Sequence, residues 1–200
     1  MSQVGDRGGR NAGRQTARRR TADGRLPGDP TREELLARMI RVDHAGEYGA
    51  RRIYEGQLSV LGQTPSGPVI ARMHEQEARH LEAFETLIAD RRVRPTALQP
   101  VWHVAGFALG AATALLGEKA AMACTVAVEE VIDEHYARQI ERLGDDEAEL
   151  SAALEAFRAE ELEHRDTGLA HGAREAPGYE ILSAAIKTGS RLAIWLSERV

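Results

Sequence analysis

Two Glu-x-x-His turns, Glu77-Ala78-Arg79-His80 and Glu161-Leu162-Glu163-His164, carry the residue types and the spacing from which a metal site can be built. Residues three apart on an α-helix lie about 60° apart around the axis and one turn apart along it, so a carboxylate and an imidazole can converge on one ion. A lone acid precedes each turn at nearly the same distance: Glu47 lies 30 residues before Glu77, and Glu129 lies 32 before Glu161. Four carboxylates and two imidazoles drawn from four helices are the di-iron or di-manganese set of helical bundles. With 22 Glu and seven His in 200 residues, about one Glu-x-x-His match is expected by chance, so the repeated distance and the faces these residues share decide the matter.

Four helices have to position them. Asp29-Pro30-Thr31-Arg32-Glu33-Glu34 is a helix start, with Thr31 as N-cap and Glu34 closing a capping box. Leu36, Ile40, Glu47, Ala50, Tyr54, Leu58 and Leu61 then follow the helical period, which puts Glu47 inside an apolar stripe. Gly62 to Pro68 is a turn, and a second helix is predicted over Val69–Arg91 with Ile70, Met73, Glu77, His80, Phe84 and Leu87 on one face. Leu115, Met122, Val126, Glu129, Ile132, Tyr136, Ile140 and Leu143 trace a third stripe, whereas Glu130 shares its face with Asp133, Glu134 and Glu141, a solvated side; this selects Glu129. Gly144-Asp145-Asp146 ends that helix, and the fourth carries Leu150, Leu154, Phe157, Glu161, His164 and Gly168.

Two further segments lie outside this pattern. No charged residue occurs from Pro95 to Gly117, and its uninterrupted part, Val101 to Gly117, is marginal for crossing a bilayer, which takes about 20 residues. A small-residue helix packed tightly in the core and a helix lying in a membrane interface, anchored by Trp102 and Phe107, both fit. After Pro177-Gly178 a last helix, Tyr179 to about Arg199, presents Ile181, Leu182, Ile186, Leu192, Ile194, Trp195 and Leu196 beside Lys187 and Arg191, an amphipathic and partly basic surface.

Composition narrows the class. Ala, Leu, Glu and Arg dominate and strand-forming runs are absent, so the chain reads as all-α; 42% hydrophobic and 28% charged residues suit one globular domain. The single Cys124, among Ala121, Met122, Ala123 and Val126, rules out an internal disulfide framework and a Cys-based metal site, and reads as a buried, inert thiol. Residues 1–30 read as a disordered basic tail, with seven Arg before residue 26, and 31–200 as the folded domain. The tail has no apolar core of a secretory signal, and its scarcity of hydroxyl residues and lack of an amphipathic stripe count against a transit peptide. No basic stripe with interleaved aromatics marks the body of the chain, so no nucleic-acid partner is expected.

Four carboxylates on inward stripes would each cost several kcal/mol if left charged and unpaired. The nearby arginines (51, 52, 72, 79, 158 and 165) mostly fall beside those stripes, so two divalent cations are the expected partners, and oxygen ligands with two imidazoles suit iron or manganese better than zinc or calcium. Iron is the expected metal. His135 and His171 lie toward the same side and read either as hydrogen-bonding supports of the site or as surface residues. His44, His74, Glu75, Glu82 and Glu163 are expected to face water, and Tyr54 and Tyr136 to be aromatic core.

Longer runs add a resemblance. Arg41-Val-Asp-His-Ala-Gly-Glu-Tyr-Gly-Ala50, Arg94-Pro95, Gly106-Phe-Ala-Leu-Gly110, Ala121-Met-Ala-Cys-Thr-Val-Ala-Val-Glu-Glu130 and Glu160-Glu-Leu-Glu-His164 are similar to the demethoxyubiquinone hydroxylases of ubiquinone biosynthesis, over roughly residues 35–200. The resemblance implies a ferritin-like four-helix bundle with additional membrane-facing helical segments. It implies two Fe ions, with ligands falling on Glu47, Glu77, His80, Glu129, Glu161 and His164. The activity so implied is a monooxygenation: one atom of O2 enters the ring of a polyprenyl demethoxyquinol and the other leaves as water. It also implies peripheral attachment to a membrane surface, on the cytoplasmic face of a bacterial cell membrane or, alternatively, the matrix face of the mitochondrial inner membrane, with an apolar path for the isoprenoid chain. No Gly-rich dinucleotide loop occurs, so no tightly held nicotinamide site is expected. A homo-oligomer and a complex with other ubiquinone-biosynthesis proteins both remain open. The rival classes are a ferritin-like iron-storage protein, a peroxidase, and a metal-free membrane-binding scaffold.

Overall fold

The computed structural model describes Leu26 and residues 28–200, so most of the expected basic tail lies outside the described residues. Six α-helices and two short 3-10 turns follow, with no strand among the described residues: α1 (Arg32–Leu61), α2 (Gly67–Asp90), α3 (Gln99–Leu115), α4 (Glu118–Leu143), α5 (Ala148–Ala170) and α6 (Tyr179–Ser197). The start of α1 is the expected capping box: Thr31 Oγ1 accepts from the Glu34 N–H at 3.1 Å, and Glu34 Oε2 accepts from the Thr31 N–H at 2.7 Å.

α1–α2 and α4–α5 form two antiparallel hairpins, and α3 crosses between them along the outside of α1. This is the ferritin-like arrangement. The core is divided in two. Tyr54, Leu61, Ile70, Met73, Met122 and Val126 fill one end of the bundle; Ile40, Phe84, Tyr136, Leu143, Leu150 and Leu154 fill the other. On every helix of the bundle the metal-type residues fall between those two sets, as Glu47 does between Ile40 and Tyr54. Apolar packing on both sides therefore fixes the depth of a polar middle layer.

The crossover helix packs through small residues, the first of its two expected roles. A Cβ added to Gly110 would lie 1.9 Å from the Ile53 carbonyl oxygen, and one on Gly56 would lie 2.2 Å from that of Phe107, so only glycine permits this approach of α1 and α3. The other face of α3 is open: Val101, Val104 and Leu115 are exposed, as is Leu116 beyond its end. No helix among the described residues is long and apolar enough to cross a membrane. The two expected anchors are both half-buried. The Trp102 indole N–H donates to Ser197 Oγ of α6 at 3.0 Å, and Phe107 is half-buried under the Arg52 guanidinium. Leu115 also departs from expectation: it ends α3 at 75% exposure instead of joining the stripe of α4, because Gly117, at φ 110°, breaks the chain direction between the two helices.

α6 lies on α4 and touches α1. Its Lys187 pairs with Glu130 and its Arg191 with Glu134 at 3.1 Å, so the solvated face of α4 is tied down by α6. Between α3 and α6, over a floor of α1 and α4, runs an apolar cleft of about 400 Å³ lined by Gly46, Gly49, Ile53, Trp102, Val128 and Ile194, among others.

Candidate metal centre

All six sequence-selected residues are buried in the polar middle layer: Glu47 on α1, Glu77 and His80 on α2, Glu129 on α4, Glu161 and His164 on α5. They form two groups, Glu47/Glu77/His80/Glu161 and Glu77/Glu129/Glu161/His164, each offering ligand atoms within 4.8 Å of one another. Glu77 and Glu161 belong to both. Two ions would therefore share two carboxylates, and each would have one further Glu and one His of its own.

The imidazoles present Nδ1 to this interior. His80 Nδ1 lies 3.3 Å from Glu47 Oε2 and 3.2 Å from Glu161 Oε1, and His164 Nδ1 lies 3.1 Å from Glu161 Oε2 and 3.2 Å from Glu77 Oε1. Their outer nitrogens are held from behind. His164 Nε2 donates to Gln76 Oε1 at 3.1 Å, Gln76 Nε2 donates to Glu160 Oε2 at 3.1 Å, and His80 Nε2 lies 3.4 Å from that carboxylate oxygen. Arg79 closes the chain on Glu160 at 3.4 Å. Such outer partners fix which nitrogen of a ligating imidazole faces the metal.

Six inward-facing atoms, Glu47 Oε2, both Glu77 oxygens, Glu129 Oε2, Glu161 Oε1 and His80 Nδ1, have no hydrogen-bond partner although fully buried. A divalent pair fits that demand: it satisfies acceptors that no N–H reaches and balances four carboxylates. Without cations, protons must do the work. Burial, then the neighbouring Glu161 and Glu47, hold the Glu77 carboxyl well above the usual range; burial, then Glu161 and Glu77, do the same to Glu129. Burial alone would depress His80, but the Glu161 and Glu47 carboxylates outweigh it and push its pKa up to about 11. Glu161 is the converse: burial is outweighed by its bonds to His164 and His80, and it is held below the ordinary carboxylate range.

Two residues read as plain aromatic core also reach this layer. Tyr54 donates its hydroxyl to Glu129 Oε1 at 2.8 Å, and Tyr136 donates to Glu47 Oε1. Each tyrosine thus serves the acid of the other helix. Their rings fill the apolar ends as expected, but the hydroxyl direction depends on the register between α1 and α4, which neither stripe shows.

Of the other candidates, His135 is buried but sits one step outside the six: its Nε2 is 3.2 Å from Asp43 Oδ1, which also accepts from Gln139 Nε2 at 2.8 Å. His171 is exposed, its Nδ1 2.8 Å from the Thr167 carbonyl on its own helix, so it does not support the site. His44 was expected in water and is 4% exposed, because α1 is covered by neighbours on more than one side; burial lowers its pKa. Glu75, Glu82 and Glu163 are exposed as expected, and His74 is partly so. The nearby arginines pair elsewhere: Arg51 and Arg52 with Glu55, Arg79 with Glu160, Arg158 with Asp133 and Arg165 with Asp166. Cys124 is fully buried, and burial pushes its thiol up to about 12. Gln76 and Glu160 were missed, although each immediately precedes the Glu of a Glu-x-x-His turn.

The family model described as ubiquinone biosynthesis protein COQ7 matches residues 34–197. The chain is 62% identical over 183 residues to the 3-demethoxyubiquinol 3-hydroxylase of Rhodospirillum rubrum, covering 91% of this chain and 86% of the relative. It is 53% identical over 192 residues to the mitochondrial NADPH-dependent 3-demethoxyubiquinone 3-hydroxylase of Homo sapiens, covering 94% and 88%. Against the mitochondrial 5-demethoxyubiquinone hydroxylase of Saccharomyces cerevisiae the identity is 41% over 183 residues, covering 83% and 78%.

Proposed function

Because the chain belongs to the COQ7 family of ubiquinone biosynthesis proteins, we propose that it is a di-iron monooxygenase that hydroxylates the ring of a polyprenyl demethoxyubiquinol. The observation that carries this reading is the pair of buried groups fused through Glu77 and Glu161, since a two-ion carboxylate site has no role in a scaffold. Glu47 and His80 would hold one iron, Glu129 and His164 the other, with Glu77 and Glu161 between them. When bound, the iron pair supplies the electrons and the open coordination positions that O2 activation needs.

The chain's own residues supply the rest. Tyr54 and Tyr136 each hold one oxygen of a terminal acid, leaving Glu129 Oε2 and Glu47 Oε2 free to face an ion. Gln76 keeps a proton on His164 Nε2 and so leaves Nδ1 unprotonated for the metal. The apolar cleft is the proposed seat of the quinol: its floor residues Gly46 and Val128 directly precede Glu47 and Glu129, and its small-residue walls can take an unbranched or isoprenoid apolar chain while keeping water out. The exposed apolar residues of α3 and α6 flank that cleft, which supports peripheral attachment to the membrane in which such a quinol dissolves, at the cytoplasmic face of a bacterial cell membrane. The name of the human relative specifies NADPH as reductant, and we take the same class of reductant for this chain.

The test uses iron-loaded protein, a short-chain demethoxyquinol, a chemical reductant in place of any nucleotide, and isotopically labelled O2. Mass analysis should show a gain of one oxygen, labelled from O2. An unchanged substrate mass, or oxygen taken from water, overturns the reading.

A further inference from the structure

A second cavity, of about 330 Å³, opens between α2 and α5, on the side of the bundle away from the apolar cleft. Its lining is mostly polar: Arg72, Glu75, Gln76, Glu163 and Thr167 surround it, and it ends on His164, one of the six residues of the metal layer. His164 Nδ1 lies 3.2 Å from Glu77 Oε1, and neither oxygen of Glu77 has a hydrogen-bond partner, so the cavity leads directly to an unsatisfied set of buried ligands. Neither the apolar cleft nor the pocket between α1, α4 and α6, which Arg38, Arg138, Arg142 and Arg191 line, has any of the six in its lining. The two helices that form the seam are lightly joined: α2 packs on α1 and α5 on α4, while α2 and α5 meet at few points. Side chains close the gap. Gln76 bonds both His164 Nε2 and Glu160 Oε2 at 3.1 Å, and Glu160 lies 3.4 Å from His80 Nε2 and from Arg79. Gln76 and Glu160 are each half-buried, so each meets solvent on one side and an imidazole of the metal layer on the other.

Because all six residues are buried, an ion that seats among them has to cross part of the protein. A hydrated divalent cation gives up its water only where oxygen or nitrogen ligands replace it. The apolar cleft offers few such atoms, and the four arginines of the other pocket repel the charge. The α2–α5 seam offers a graded series: Glu75 and Glu163 at the exposed mouth, neither in an ion pair among the described residues, then Glu160, then the imidazoles. Arg72 also stands at the mouth, and Arg79 is held by Glu160. We propose that this seam is the port through which the divalent metal ion enters and leaves the centre. Glu75 and Glu163 gather the ion, and Gln76 and Glu160 swing aside to admit it. This rests on the proposed function for the presence of the iron pair. Opening the port breaks hydrogen bonds between side chains and leaves both apolar ends of the core in place. The ion and the apolar substrate thus reach the same layer from opposite sides, each by a path that suits its hydration.

The test is isotope exchange in the iron-loaded, reduced full chain, without quinol and without O2. Excess isotopically labelled aqueous Fe(II) is added, and the isotope content of protein desalted at intervals gives the exchange rate; a chelator titration gives the affinity. Glu75→Gln with Glu163→Gln removes the charge at the mouth and should slow exchange by about tenfold at low ionic strength, with the difference shrinking in high salt. Thr167→Trp fills the cavity without touching charge and should slow exchange at every salt concentration. Both should leave affinity unchanged, because a group met only in passage alters entry and release by the same factor. Gly49→Leu, which narrows the apolar cleft instead, should exchange at the wild-type rate. Unchanged circular dichroism confirms folding of each. Wild-type exchange in both port variants, slowing by Gly49→Leu in their place, or slower exchange matched by tighter binding overturns the proposal. If the wild-type chain holds no iron at all, the proposed function falls with it; if iron is held and exchange ignores the seam, the port alone falls.

Discussion

Replacing Gly110 by Ala tests whether the close crossing of α3 over α1 holds the cleft in shape. The new methyl carbon would lie 1.9 Å from the Ile53 carbonyl oxygen and 2.8 Å from its carbon, against ordinary contact from 3.4 Å, so α3 must retreat by about 1.5 Å. The obstacle is backbone on a buried helix, which cannot rotate aside. Overpacking of this kind costs about 3 kcal/mol, while Ala in place of Gly in a helix returns about 1 kcal/mol, leaving a net loss of about 2 kcal/mol. For a chain of this length that is a fall in Tm of roughly 4–8 °C. Gly49→Ala is the internal control. It lies on the same helix pair and lines the same cleft, but its added carbon meets nothing within 4 Å, so it should keep or gain up to about 1 kcal/mol while narrowing the cleft and raising KM for the quinol. Urea unfolding of both variants, compared at equal m-value and in both metal-loaded and stripped form, reads the difference directly. A Gly110→Ala protein as stable as wild type would refute the claim that glycine alone permits this contact.

The metal reading makes its own demands. Glu129→Ala or His164→Ala should abolish hydroxylation and lower bound iron while leaving helix content by circular dichroism intact; product formation at wild-type rate in either would remove that residue from the ligand set. Gln76→Leu deprives the His164 Nε2–H of its acceptor and should weaken metal binding by about 10–100-fold, whereas Gln76→Glu keeps an acceptor and should restore most of it; equal metal affinity in all three would contradict the role given to Gln76. Stripped of metal, the protein should lose stability as pH rises above the ordinary carboxylate value of about 4.3, because Glu77 and Glu129, with raised pKa values, bind protons in the folded state that the unfolded chain releases. Glu161, held low, acts in the opposite sense only below that value. Restoring Fe(II) or Mn(II) should remove the downward slope between pH 5 and 7; a metal-free protein that gains stability over that range would contradict the assignment.

Much of the middle layer was legible because burial on a bundle helix is periodic. A stripe that admits Glu47 between Ile40 and Tyr54 leaves that acid no route to water, and the same reasoning separates Glu129 from Glu130 one residue away. Periodicity is a weaker guide where a helix has more than one covered side. α1 meets α2, α3 and α6, so His44 is buried although it lies off the main stripe. It also weakens where the partner is on another helix: that Tyr54 reaches Glu129 and Tyr136 reaches Glu47 follows from how α1 and α4 are shifted along each other. The charge-free segment gave two readings because apolar sequence alone does not say which face meets protein. The glycines settle one face against α1, and the other carries the exposed Val101, Val104 and Leu115.

The hydrogen-bonded chain behind the two imidazoles makes the two halves of the centre unequal. Glu47 and Glu129 correspond, as do the two Glu-x-x-His turns, and each outer acid is held by a tyrosine from the opposite hairpin, so the inner residues are nearly interchangeable by a half-turn about the middle of the bundle. The residues behind them are not: a neutral amide, Gln76, backs His164, while the anionic Glu160 stands behind His80. A carboxylate at that distance makes its imidazole the stronger electron donor, so two chemically alike ions placed here would differ in redox potential, with the one beside His80 the easier to keep oxidised. The direction in which the centre is polarised is thus set by two side chains that touch neither ion.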